Sequence, residues 1–202
     1  MSAANIARLK ITLDHVKPAV LRRIEVPFDI PLDRLHQTLQ VAIGWTNSHL
    51  YEIRAGDVGW STPHPGIDGA DEFLDARKAR LGDVIEDVGT KTLRYLYDFG
   101  DGWEHTIKVE RLTDPEPGVL YPRLIEAKGR CPPEDVGGPW GYAEFLEAMA
   151  NPRHERHDEL AGWIDEDDFD PNAVDAERLA EHVAALAKYW ARKPATKRAR
   201  RA

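Results

Sequence analysis

The chain has a single cysteine, Cys131, in 202 residues, so an intrachain disulfide is excluded. That suits a reducing compartment. No apolar run approaches the roughly 20 residues needed to span a bilayer. The start, Met1-Ser-Ala-Ala-Asn-Ile-Ala-Arg8, lacks the charged-then-apolar layout of a signal peptide. A cytoplasmic location and no membrane partner are therefore expected. Serine is also scarce, limited to Ser2, Ser48 and Ser61.

What is present is acid. The net charge is -8, yet Arg192, Lys193, Lys197, Arg198, Arg200 and Arg201 crowd the end of the chain with no acid among them. Setting those six cations aside leaves the body at -14. Such a body repels a phosphate backbone, so any nucleic-acid contact is expected through the basic tail.

Along the chain, Arg8-Leu-Lys-Ile-Thr-Leu13 alternates polar and apolar residues, as a half-buried strand does. Val20 to Val26 reads as its hairpin partner, with Pro18 in the turn. Leu32, Leu35, Leu39 and Ile43 recur at helical spacing between Pro31 and Gly44, which suit a start and a stop. Leu50 to Arg54 reads as a strand, and Asp57 to Asp71 as mostly loop. In Leu93 to Phe99, alternate residues Leu93, Tyr95, Tyr97 and Phe99 share a face. Gly100-Asp101-Gly102 supplies a tight turn. Trp103, His105, Ile107 and Val109 share the returning face.

A proline-rich loop is expected from Thr113 to Gly138. Helices follow, one carrying Tyr142, Phe145, Leu146 and Met149 and ending at Asn151-Pro152, one around Glu155 to Ile164, and a last one carrying Leu179, Val183, Leu186 and Trp190. These elements predict an α+β domain over residues 6–190. It has a mainly antiparallel sheet, one helix in the N-terminal half and a C-terminal block of helices. Residues 191–202 form a basic tail, expected to be disordered.

Two stretches concentrate glycine, proline, carboxylate and aromatic groups: Tyr97-Asp-Phe-Gly-Asp-Gly-Trp-Glu-His105 and Cys131-Pro-Pro-Glu-Asp-Val-Gly-Gly-Pro-Trp-Gly-Tyr142. With Leu9-Lys-Ile-Thr-Leu13, Gly44-Trp45, Ser48-His49-Leu50, Tyr121-Pro122 and Phe169-Asp-Pro171, they resemble the plasmid pRiA4b ORF-three-like family. Members of that family are often labelled insertion-sequence passenger proteins of a "TnpR" type. The resemblance spans roughly residues 6 to 175. It implies a bacterial α+β domain often near mobile elements, and no established activity. Relatives often carry a histidine where this chain has Tyr51, and further cysteines where it has Leu124 and Val136. Those departures weaken a cysteine–histidine metal reading. The serines have no arginine-rich setting, and Tyr189 lacks an Arg-His-Arg framework. A serine or tyrosine recombinase is therefore not expected.

Each candidate residue has a plainer role beside its chemical one. Asp98-Phe99-Gly100 echoes a kinase triplet, but the accompanying catalytic-loop pattern is missing, and it reads as a hairpin turn. Ser48 beside His49 lacks a nucleophile elbow and suits turn bonding. Cys131 sits between Arg130, which lowers a thiol pKa, and Glu134-Asp135, which raise it. His154 and His157 suit a solvated helix face. Asp165 to Asp170 lacks the glycine and terminal glutamate of a calcium loop and reads as an exposed acidic turn.

The leading expectation is a non-catalytic binding or accessory module. Its ligand groove comprises Asp98, Asp101, Trp103, His105, Cys131, Glu134, Asp135, Trp140 and Tyr142 and takes a protein, peptide or small ligand. No cofactor is expected on this reading. The alternative is a metal-dependent hydrolase in which Asp98, Asp101, His105, Glu134 and Asp135 hold a divalent ion.

Overall fold

Alternation of side chains sets the framework of the sheet. The computed structural model describes residues 5–63, 73–164 and 169–192. Among them run eight strands: β1 (Ile6–Leu13), β2 (Leu21–Pro27), β3 (Tyr51–Ala55), β4 (Val58–Ser61), β5 (Leu74–Asp75), β6 (Thr92–Tyr97), β7 (Trp103–Thr113) and β8 (Arg123–Lys128). The five helices are α1 (Leu32–Ile43), α2 (Leu81–Val88), α3 (Gly138–Ala150), α4 (His157–Ile164) and α5 (Ala176–Ala191). The strands form one sheet in the order β5-β4-β3-β6-β7-β1-β2-β8. Every pairing is antiparallel except β4 with β5.

The two faces of the sheet differ in chemistry. Leu93, Tyr95 and Tyr97 of β6, with Trp103, His105 and Ile107 of β7, are buried on one face. The opposite face is laced with ion pairs: Arg23 with Glu110 and Glu126, Arg8 and Arg123 with Glu25. Most of these pairs are partly solvated, so the apolar face supplies the stability. α1 lays Leu32, Leu35, Leu39 and Ile43 into that core and packs on β2 and α5. It ends at Gly44, whose φ of 104° lets its N–H reach Gln40 O.

Four expectations need correction. The N-terminal half holds a second helix, α2, which has only two turns and buries little beyond Leu81 and Val84. So short a stripe carries almost no periodic signal. The 57–71 and 113–138 stretches contain β4 and β8, each near or at an edge of the sheet. β8 exposes much of both faces and so lacks alternation. Phe99 does not share the face of Tyr97. Asp98 has a φ of 58°, which breaks the alternation, and Phe99 is exposed. The expectations for Asp165 to Asp168 and for Lys193 onward fall outside the described residues. Arg192 caps the end of α5.

Candidate functional site

The turn between β6 and β7 is built by its aspartates. Asp98 Oδ1 accepts from the Gly100 N–H at 2.9 Å and the Asp101 N–H at 3.4 Å. Its other oxygen, Oδ2, has no share in the turn and lies 3.6 Å from His49 Nδ1. Asp101 reaches the other conspicuous stretch, accepting from Gly137 N–H at 3.2 Å. The two stretches therefore meet, just ahead of α3.

Glu134 ties a third segment to them. Its Oε2 accepts from Thr46 N–H at 2.8 Å and Thr46 Oγ1 at 2.6 Å, while Oε1 accepts from the Tyr97 hydroxyl at 2.7 Å. The same Tyr97 oxygen accepts from the backbone N–H groups of Ser48 and His49 at 3.0 and 3.3 Å. Burial and then the adjacent Glu134 carboxylate push the Tyr97 phenol pKa upward, so it stays a donor. The loop bearing His49 is thus held by neighbours on two other segments. Its ring stands edge-on to Tyr97, with centroids 5.8 Å apart. Asp135, at a φ of 61°, brings Oδ1 to 3.1 Å from His49 Nε2.

Beneath this loop runs a buried polar chain. His36 Nε2 faces Asn47 Oδ1 at 2.6 Å and so carries the proton. Its Nδ1 then accepts from Tyr95 at 2.9 Å, and Tyr95 accepts from Gln40 Nε2 at 2.7 Å. His105 donates from Nδ1 to the carbonyls of Tyr95 and Trp103 at 3.2 and 3.1 Å. Burial pushes both imidazoles down from 6.5 to about 4. An unfolded histidine protonates first as pH falls, so the unfolded state gains. The stabilising effect of each neutral ring is whole above pH 6.5 and is lost between there and about 4. The slope is about 1.4 kcal/mol per pH unit for each ring. Ring nuclear magnetic resonance shifts of His36 and His105 should remain those of neutral imidazole at about pH 5.5. A midpoint near the ordinary histidine value would refute the burial argument.

The expected groove is not one surface. Trp103 and Tyr142 are core side chains at 0% and 1% exposure, and His105 is buried with them. None of the three can wall an open groove. Trp140 stands in solvent at 89% exposure. Cys131 and Glu134 line a hollow of about 650 Å³ with Trp45 and Trp163. Asp98 instead lines a separate cleft of about 610 Å³ with Asp33, His36, Ser48, His49 and Phe99. In sequence, Thr46 separates Trp45, which lines the first, from Asn47, which lines the second. Burial, outweighing nearby Arg22, pushes the Cys131 thiol pKa upward, which argues against an activated nucleophile.

The five residues of the metal-hydrolase expectation likewise do not form one ligand set. His105 is sequestered, Glu134 is fully bonded and Asp101 is engaged with Gly137. Among the described residues, Asp98 and Asp135 instead gather with His49. His49 was legible only as the neighbour of Ser48. The pairing of Tyr51 with Tyr97 brings it beside the turn, and that register is not written in the local sequence.

The fold and site together define an α+β domain with a mostly antiparallel sheet and an imidazole–carboxylate cleft at the end of its central hairpin. The chain belongs to the plasmid pRiA4b ORF-3-like protein family, whose model matches residues 5–178. It is 55% identical over 190 residues to "Uncharacterized protein y4hQ" of Sinorhizobium fredii (strain NBRC 101917 / NGR234), covering 94% of this chain and 96% of that relative. Its fold is similar to the crystal structure of the protein of unknown function MM3350 from Methanosarcina mazei Go1. There the TM-score is 0.77 at 30% identity, covering 87% of this chain and 98% of the other. Among the described residues, no helix is long and apolar enough to cross a membrane.

Proposed function

We propose that this protein is a non-catalytic binding module whose ligand is a cation held in the 610 Å³ cleft beside the β6–β7 turn. One observation carries the reading: among the described residues, the lining gathers two carboxylates, Asp33 and Asp98, each with an oxygen not taken up by a hydrogen bond within the protein. Among the described residues, Asp33 Oδ1 is buried without a hydrogen-bond partner, and Asp98 keeps one oxygen outside its turn. Arg77 lines the same cleft and feels the charge of Asp33, but its hydrogen bonds go to both oxygens of Asp75 at 2.8 and 2.9 Å. A concave surface with two such carboxylates favours a positively charged, donor-bearing ligand.

An accessory role beside mobile elements, which the family resemblance implies, fits a domain that binds rather than cuts. Ser61 is buried and donates to Tyr51 O, and Tyr189 lies exposed on α5. Neither has the setting of a recombinase nucleophile.

Nuclear magnetic resonance titration with a cation panel tests the reading. The panel holds lysine and arginine tripeptides, spermidine and divalent metal ions. Amide shifts should concentrate at Asn47 to Tyr51 and Asp98 to Asp101, and fade in Asp98→Asn with Asp33→Asn. Shifts confined to other surfaces, or none with any cation, would overturn it.

A further inference from the structure

We infer that His49, Asp98 and Asp135 form a site for one divalent transition-metal ion, and that this ion is the cation the cleft takes. The inference rests on the cleft reading above and names its ligand. One ligand atom from each of the three residues can be chosen so that all lie within 4.8 Å of one another. They come from three separate segments: the loop before β3, the β6–β7 turn and the approach to α3.

The geometry leaves each group ready for this use. Asp98 commits Oδ1 to the turn and leaves Oδ2 facing the imidazole. Asp135 has a side chain 67% exposed, free to close onto an ion from the solvent side. The histidine supplies an independent observation. Each ring nitrogen of His49 faces a different carboxylate, Nε2 with Asp135 Oδ1 at 3.1 Å and Nδ1 with Asp98 Oδ2 at 3.6 Å. A neutral imidazole carries one bare lone pair, and an ionised carboxylate is acceptor-only. The single N–H of a neutral ring can serve only one of these two carboxylates, which leaves the other nitrogen's lone pair facing an acceptor unless a positive centre lies between them. A metal ion supplies that centre.

The donor set selects the class of ion. One imidazole nitrogen with two carboxylate oxygens suits zinc, manganese or ferrous iron, whereas magnesium and calcium prefer oxygen alone. His49 and Asp98 line the cleft, and three protein ligands leave further coordination positions for water or another ligand. Tyr97 and Glu134 act as positioning residues, because they fix the loop and the segment that carry two of the three ligands.

The test uses tag-free full-length protein stripped with a chelator. Zn²⁺ binding is measured by calorimetry, and Mn²⁺ by broadening of amide signals. One ion per chain is expected, with Mn²⁺ broadening centred on His49, Asp98 and Asp135. Affinity should fall at least ~10-fold in each of His49→Ala, Asp98→Asn and Asp135→Asn, and stay unchanged in His15→Ala. Asp98→Asn keeps the oxygen that builds the turn, and Asp135 is exposed, so these two variants should retain the fold. Zn²⁺ affinity that all three variants keep, or no binding beyond that of His49→Ala, overturns the metal site. If spermidine or the tripeptides still perturb the cleft in that case, the cation-binding reading survives. If no cation does, both fall.

Discussion

Replacing Gly138 with alanine should cost more than about 4 kcal/mol of folding stability, the range reserved for severe packing or strain defects. An added Cβ would sit 2.2 Å from Asp101 O and 3.1 Å from its carbonyl carbon. Neither atom can yield as a flexible side-chain tip could, because both belong to the backbone of the β6–β7 turn. Gly102 provides an internal control. It has the same φ of 69°, but among the described residues nothing lies within 4 Å of the position its Cβ would take. Gly102→Ala therefore isolates the backbone cost of the left-handed conformation, about 1–2 kcal/mol. The difference between the two variants, read from urea midpoints at pH 7, measures the contact between turn and α3 start. Equal losses would mean that the two stretches do not press together, and the cleft would lose its frame.

Arg22→Met should cost about 3–5 kcal/mol, the scale set by several buried acceptors left without donors. Arg22 is 1% exposed and, among the described residues, has no carboxylate partner. Its Nε donates to Ala42 O at 2.8 Å, and one terminal nitrogen serves Leu21, Lys128 and Gly129 carbonyls at 2.8, 2.9 and 3.1 Å. This fork joins the end of α1 to β2 and to the end of β8. Burial lowers its pKa, and the partial negative charges of the carbonyls hold the cation. Arg22→Lys should also lose more than about 2 kcal/mol, since an ammonium on a flexible stem cannot reproduce the planar fork. Urea unfolding of the three proteins decides this. A lysine variant as stable as wild type would show that the charge matters and the fork does not.

Much of the fold is legible in short-range pattern. The alternation through Leu93, Tyr95 and Tyr97, the two glycines of the turn and the return through Trp103 and His105 define a hairpin without tertiary information. The structure pairs Tyr97 with Trp103 across it. The stripe Leu32, Leu35, Leu39, Ile43 and the following Gly44 define α1 as surely. α2 and β8 escape the same reading because each buries too few side chains to leave a period. Trp140 shows the converse limit. Its composition-rich surroundings suggest a groove wall, but a residue's place on its helix, not its chemistry, sets whether it meets the core or water.

Local spacing and turn chemistry thus determined the central strands, most helices, the acid excess and the two stretches that matter, because those depend on neighbours a few residues apart. Only the tertiary structure decided that His49 joins Asp98 and Asp135, that Trp103 and Tyr142 turn inward, and that Arg22 is buried on carbonyls. Those outcomes depend on the register of β3 against β6 and on how closely α3 begins beside the turn. Both are fixed by the packing of distant segments, which no local periodicity encodes.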